Sequence, residues 1–199
     1  MRLERIAERL EGRIVVLEPL RADHEKGLWE ASRDPRTWRW LSILQPQTRQ
    51  EFSAFFADAL DDPTMVTFAT VSASTGRVLG STRFLSIRPD ARSLEIGWTW
   101  LHPDAWGTGA NTEAKYLQLR HAFETLGALR VEFKTDALNE RSRAALAALP
   151  AQFEGVHRKH MLVRGGERRD SAWYSVLDDE WPEVKANLER RIESKLAAG

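Results

Sequence analysis

The chain has 199 residues, with 29 Lys plus Arg against 29 Asp plus Glu, so its formal net charge is zero. That length suits one ordinary domain, and the charge balance argues against a nonspecific polyphosphate binder while leaving room for a local basic patch. Cysteine is absent, which excludes disulfides, thiolate metal sites and a cysteine nucleophile.

Residues 1–12 read as a polar, partly helical lead-in that closes at Gly12. Arg13–Leu20 (RIVVLEPL) has the β-branched density of a strand, and Arg21–Ser32 reads as a helix with Leu28 and Trp29 inward. The segment 34–47 carries Pro35, Pro46, Trp38 and Trp40 and is expected to be a loop. Thr48 and Glu51 form a capping box for a helix running to Asp61. Met65–Ser72, Val78–Arg88 and Ser93–His102 then read as an antiparallel meander. Simple alternation in the third strand puts Ile96, Trp98 and Trp100 on one face and Glu95, Gly97 and Thr99 on the other.

A loop, DAWGTGAN, leads to a helix over Thr112–Thr125, followed by a strand at Arg130–Thr135. Asn139–Leu149 is a short Ala-rich helix ended by Pro150. Phe153–Arg164 and Trp173–Leu177 are strands around a hairpin at Gly165-Gly166, with the basic run Arg164–Arg169 read as a solvated tip, against the alternative that it guides an acidic or nucleotide part of a ligand. Asp178 caps a final helix with Trp181, Val184, Leu188 and Ile192 as its apolar stripe. The expected fold is a mixed, mostly antiparallel α/β sheet of about seven strands flanked by helices, in one domain over 1–199 with an extra C-terminal helix over 178–199. The charged N-terminus and the lack of a long apolar run make the cytoplasm the expected location, with no membrane or nucleic-acid partner. His157 and His160, three apart in a strand, are expected on opposite faces, and the five histidines form no metal pattern.

The chemically informative feature is Trp106-Gly107-Thr108-Gly109-Ala110-Asn111, between a strand and a helix. Two glycines let the backbone turn tightly, and the amides opening the helix then face outward where a phosphate can sit. A turn that only serves tight packing has the same spacing. There is no Walker loop, no third glycine in dinucleotide register, and the preceding strand belongs to a meander.

The run EIGWTWLHPDAWGTGANTEAKYLQLRHAF resembles the acetyl-CoA-binding segment of the GNAT acyltransferases, most closely the ribosomal-protein N-terminal acetyltransferase (RimJ/RimL) branch. Gly107 and Gly109 match its loop glycines, Thr112-Glu113-Ala114 its helix start, and Asn139-Glu140-Arg141-Ser142 its N-x-x-S; the likeness spans roughly 13–192. Three positions depart from the pattern: Trp106 replaces a usual Arg or Gln, Asn111 a small residue, and Pro150 a glycine, so the turn there is expected to be built differently.

The resemblance implies direct acetyl transfer from acetyl-CoA to a primary amine, either a peptide N-terminus or a small molecule, by a monomer or homodimer without metal. It places the pantetheine arm along Trp100, Leu101 and His102, the pyrophosphate on Trp106, Gly107, Thr108, Gly109, Ala110 and Asn111, and Asn139 and Ser142 across from them. Glu95 is the candidate base because its strand carries it toward the sheet centre; an ion-paired strand residue is the competing reading. The tyrosine that many relatives use as acid falls at Leu146 here. Ser142 and Tyr174 are therefore the candidate donors, against the alternatives of a helix-start serine and a core tyrosine. Trp38 and Trp40 are the candidate acceptor-binding residues. A non-catalytic acyl-CoA-binding module is the alternative function.

Overall fold

A computed structural model describes residues 1–198. Eight strands form one sheet: β1 (Leu10–Glu11), β2 (Val15–Pro19), β3 (Val66–Ser72), β4 (Val78–Arg88), β5 (Ser93–Leu101), β6 (Arg130–Asp136), β7 (Gln152–Val163) and β8 (Glu167–Leu177). Their order is β1-β2-β3-β4-β5-β6-β8-β7. The eighth strand beyond the expected seven is β1, which pairs with β2 where a helical lead-in was expected.

The helices are α1 (Glu25–Ala31), α2 (Arg49–Asp61), α3 (Ala110–Arg120), α4 (Glu140–Ala148) and α5 (Trp181–Ala197). Thr48 Oγ1 accepts the Glu51 amide at 3.1 Å, but the Glu51 carboxylate turns back to Gln47 N rather than to Thr48, so the capping box is half made. The α5 helix starts at Trp181 after a turn, without a capping bond from Asp178. The turn after α4 closes by a bond from Ala151 N to Leu146 O at 3.1 Å with Pro150 at φ +22°. This is one of the two bonds that close a glycine-capped helix end; the other is missing because the proline nitrogen carries no hydrogen, so the turn is built differently, as expected.

Each sheet face has its own core. Phe68, Phe84, Leu94, Ile96 and Phe133 pack with Leu117 of α3 and Leu188 of α5. On the opposite face Trp98 and Trp100 pack with Leu28, Trp38, Phe52 and Phe56. Ile96 and Trp98 therefore lie in different cores, against the simple alternation. A β-bulge is the reason: Ser81 faces Trp100 but Arg83 faces Gly97, so β5 carries one residue more than β4 across this step. Trp98 takes φ +49° there, and residue parity inverts beyond it.

The one parallel junction, between β5 and β6, is short. Ser93, Leu94 and Glu95 pair with Arg130, Val131 and Glu132, and no later residue of β5 pairs with β6. The strands diverge past Glu95 and leave the backbone edge of β5 open.

Candidate functional site

The divergence makes a cleft that passes through the sheet, with a cavity volume of about 490 Å³, within the range of small-molecule sites. Gly97–Leu101 of β5 and Phe133–Thr135 of β6 form its walls; Gly107, Gly109, Asn111, Asn139 and Arg141 border the α3 side, and Trp40, Leu41, Ser42, Met161 and Arg169 the other.

On the α3 side the backbone shapes the site. Gly107 and Gly109 have φ +77° and +98°, a region that L side chains rarely occupy. A Cβ on Gly107 would meet nothing within 4 Å, whereas one on Gly109 would sit 2.8 Å from Ile14 Cδ1. The first glycine is needed for the turn; the second is needed for the turn and for packing. The α3 helix begins at Ala110, two residues earlier than its sequence pattern indicates, so Asn111 lies in its first turn. Ala110 N is held by Thr108 Oγ1 at 3.3 Å and Glu113 N by Gly109 O at 2.9 Å. The amides of Gly107, Gly109 and Asn111 have no partner among the described residues. Glu113, buried within this turn, accepts from the amides of Arg13, Ile14 and Val15 at 2.9, 2.6 and 2.7 Å and ties the start of α3 to β2.

Trp106 sits beside this turn with its Nε1 donating to Leu101 O at 2.9 Å. The Arg141 guanidinium lies 3.5 Å above its ring. Asn139 caps α4 by accepting the Ser142 amide at 3.1 Å, and both residues line the cleft.

At the centre lie two buried ionisable groups. Glu95 is 2% exposed; burial raises its pKa, opposed by Lys134 Nζ at 3.5 Å. Lys115, from α3, donates to Thr99 Oγ1 at 2.6 Å, and burial lowers its pKa to about 7. On the far side, Arg169 is 6% exposed and burial lowers its pKa. The charged residues lining the cleft are Lys115, Lys134, Arg141, Arg169, Arg191 and Lys195 against the single carboxylate of Glu95.

The cleft gathers Glu95, Trp100, Leu101, Trp106, Gly107, Gly109, Asn111, Asn139, Ser142 and Trp40 of the residues singled out from the sequence. It does not gather five others. Ala110 is fully buried, Thr108 Oγ1 is spent on Ala105 O at 2.8 Å, and His102 Nδ1 caps the Asp104 amide at 3.2 Å. Tyr174 packs in the α3-side core, where its hydroxyl accepts from Arg143 Nε at 3.2 Å. Trp38 is buried with Nε1 donating to Ser32 O at 2.6 Å, and it backs the Trp100 ring instead of reaching the cleft.

Three features were not legible. Lys115, Arg141, Arg191 and Lys195 are ordinary helix cations in sequence, and only the tertiary fold points them at one cavity. The basic hairpin is solvated only at its tip, where residues 165–168 are exposed; at its ends the Arg164 side chain and Arg169 turn inward, and Arg164 donates to Leu41 O at 2.9 Å and joins the 41–42 loop to the hairpin. His157 and His160 share a face, their ring centroids 5.5 Å apart, because a bulge between His157 and Met161 breaks the alternation.

Among the described residues no helix is long and apolar enough to cross a membrane, and no group of three or more His, Cys, Asp or Glu could hold a metal ion.

The family model of the acetyltransferase (GNAT) domain matches residues 15–151. A GCN5-related N-acetyltransferase from Brucella melitensis is 35% identical, with 94% of this chain and 86% of that chain covered at a TM-score of 0.89. A protein from T. thermophilus assigned as an acetyltransferase is 44% identical, with 92% and 96% covered and a TM-score of 0.85. Spermidine N-acetyltransferase from Vibrio cholerae, solved with CoA and spermine, shares the fold at 13% identity, 86% and 99% coverage and a TM-score of 0.70. No curated protein matches the chain significantly in sequence.

Proposed function

Since the chain belongs to the GNAT acetyltransferase family, we propose that it moves the acetyl group of acetyl-CoA directly to a primary amine within a ternary complex. The observation that carries this reading is the charge and shape of the cleft. Six basic side chains and one carboxylate line a cavity whose α3-side mouth presents unpartnered amides and an open β-strand edge. That donor set fits a polyanionic ligand with an amide-bearing arm. Gly107, Gly109 and Asn111 supply amides for the pyrophosphate, Arg141 its countercharge, the edge of β5 near Trp100 and Leu101 the sheet-like bonds, and Asn139 Nδ2 a further donor.

Acetyl-CoA supplies an activated acyl thioester, and the chain needs no cysteine to hold the acyl group. Glu95 takes the ammonium proton of the acceptor. Its raised pKa suits it to that role, because a stronger conjugate base competes better for an amine proton near neutral pH. An α-amine of pKa near 7.7–8.0 is roughly a tenth neutral at pH 7, so a single carboxylate suffices for it. Ser142, in the first turn of α4, lines the cleft and serves as proton donor to the departing thiolate. The motifs around 95–123 and 139–142 favour the RimJ/RimL-type branch.

The test is calorimetric titration with acetyl-CoA, followed by CoA release with a panel of peptide and small-molecule amines. Binding together with amine-dependent CoA release is expected. Absence of binding overturns the reading, and binding without release from any amine leaves a non-catalytic acyl-CoA-binding module.

A further inference from the structure

Two buried arginines stand in the β7–β8 hairpin region, and their surroundings differ. Arg164 is fully engaged: it donates to Leu41 O at 2.9 Å, Glu167 Oε2 at 2.9 Å and Asp136 Oδ2 at 3.3 Å. Arg169 has one long contact, Nη1 to Ser42 Oγ at 3.4 Å, and its Nε is buried with no partner. No carboxylate lies within ion-pair distance of it, because the nearby Asp136 is taken by Arg164. Yet Arg169 is 6% exposed and lines the cleft on the side away from the Gly107–Gly109 turn.

A buried guanidinium without an anion is costly, and an orphaned buried donor adds to that cost. The carboxylates of Asp136 and Glu95 act on it only from a distance, because each makes its contact with another cation, Arg164 and Lys134 respectively. The acceptor half of the cleft thus carries one positive charge with no contacting anion. A polyamine would add further positive charge to that space. A ligand with its own carboxylate would supply the missing anion to the planar donors of Arg169, with the Ser42 hydroxyl beside them.

We propose that the acceptor is a small amine bearing a carboxylate, of the amino-acid type, whose carboxylate pairs with Arg169 while its amine faces Glu95. This inference rests on the acetyltransferase reading above and names its acceptor class. Arg169 thereby sets specificity: Ser42 in the 41–42 loop and Arg169 on β8 form one wall, held together by the bonds from Arg164 to Leu41 O and from its amide to Ser42 O at 2.9 Å.

The experiment compares CoA release for glycine, methionine, phenylalanine and glutamate, each against its own carboxamide, together with spermidine. The carboxamides have the less basic amines, so intrinsic reactivity runs against the expected result. The free acids should exceed their carboxamides at least tenfold in kcat/KM, and spermidine should be the poorest acceptor. In Arg169→Gln that ratio should fall toward one, whatever happens to the absolute rate; Arg169→Lys should restore part of it. Parity of acid and carboxamide in the wild-type protein, or spermidine as the best acceptor, overturns the inference without needing a variant. So does intact acetyl-CoA binding with no turnover of any free acid. An aspartyl-alanine amide tests the other source of a carboxylate, and its preference over every free acid would likewise overturn the small-molecule assignment. Failure to bind acetyl-CoA at all is a different result, since it removes the acetyltransferase reading itself.

Discussion

Lys115 permits the sharpest physical test of the cleft. Its ammonium is buried against Thr99 Oγ1 at 2.6 Å, with Thr82 Oγ1 and Gln118 Oε1 at 3.4 and 3.5 Å, and meets no carboxylate. Burial pulls its pKa from 10.5 to about 7, a gap corresponding to about 5 kcal/mol at ~1.4 kcal/mol per unit. Below pH 7 the folded and unfolded chains both carry the charge, and the folded chain bears the whole burial penalty. Between about pH 7 and 10.5 the unfolded chain holds a proton that the folded chain has released, so stability rises with pH. Lys115→Met keeps the side-chain length and removes the charge. The lost hydrogen bonds cost about 1 kcal/mol, since Thr82 still bridges Thr99 and Gln118 at 2.8 and 3.0 Å. The variant should therefore be about 3–4 kcal/mol more stable at pH 6 and about equal to wild type near pH 10. With a urea slope of about 2 kcal/mol/M, the pH 6 midpoint rises by roughly 1.5–2 M. Urea unfolding at pH 6, 8 and 10, followed by tryptophan fluorescence, checks this. A midpoint difference that stays constant from pH 6 to 10, or that widens with pH, refutes the reasoning.

Three further outcomes follow from named contacts. Glu95→Gln should lower kcat by about 10²–10³-fold and leave the acetyl-CoA affinity measured by calorimetry within about twofold. In the wild type, burial lifts the Glu95 pKa, so kcat/KM should fall on acidification at a pH above the ordinary carboxylate range, and the variant should lose that limb. Arg141→Ala should weaken acetyl-CoA binding about 10–100-fold and flatten its salt dependence, because it removes the cation stacked on Trp106 at the mouth of the cleft. Glu113→Gln should cost about 2–4 kcal/mol in urea unfolding, since one carboxylate serves three backbone amides and an amide side chain has a single acceptor atom.

What could be read from the sequence was local. The Thr48 cap, the β4 span and the glycine turn depend on neighbouring residues, and each lies where its pattern indicates. The glycine turn also carried the family resemblance, which the family match over 15–151 bears out at the level of the acetyltransferase domain. Parity failed at the two bulges. Trp98 and Lys159 both take φ +49° without being glycine, so no residue type announced either bulge. Each shifts the faces of its neighbours: Ile96 parts from Trp98, and His157 meets His160. The charges of the cleft failed for a different reason. Lys115, Arg141 and Arg169 come from α3, α4 and β8, and what distinguishes them is the absence of a carboxylate partner, which has no sequence signal.

Trp106 stands where the family resemblance implies a polar or basic residue, and the positive charge beside it comes from across the cleft rather than from the loop. The indole is fixed at one end by its bond to Leu101 O and offers its face to Arg141 at 3.5 Å. A guanidinium stacked on an indole is partly dehydrated and restricted in rotamer, so it meets an anion with less ordering still to be lost. The positive charge at this mouth stands on the first turn of α4, and the tryptophan is its support. This couples two sides of the cleft mouth: Asn139 caps the same helix that carries Arg141, so the side chain across from the β5 edge and the cation beside the glycine turn share one rigid element. A loop arginine would depend only on its own turn. Arg141 instead depends on the α4 cap, the indole and the bond anchoring it, so the basic character of this site is a property of the packed helix rather than of the glycine motif.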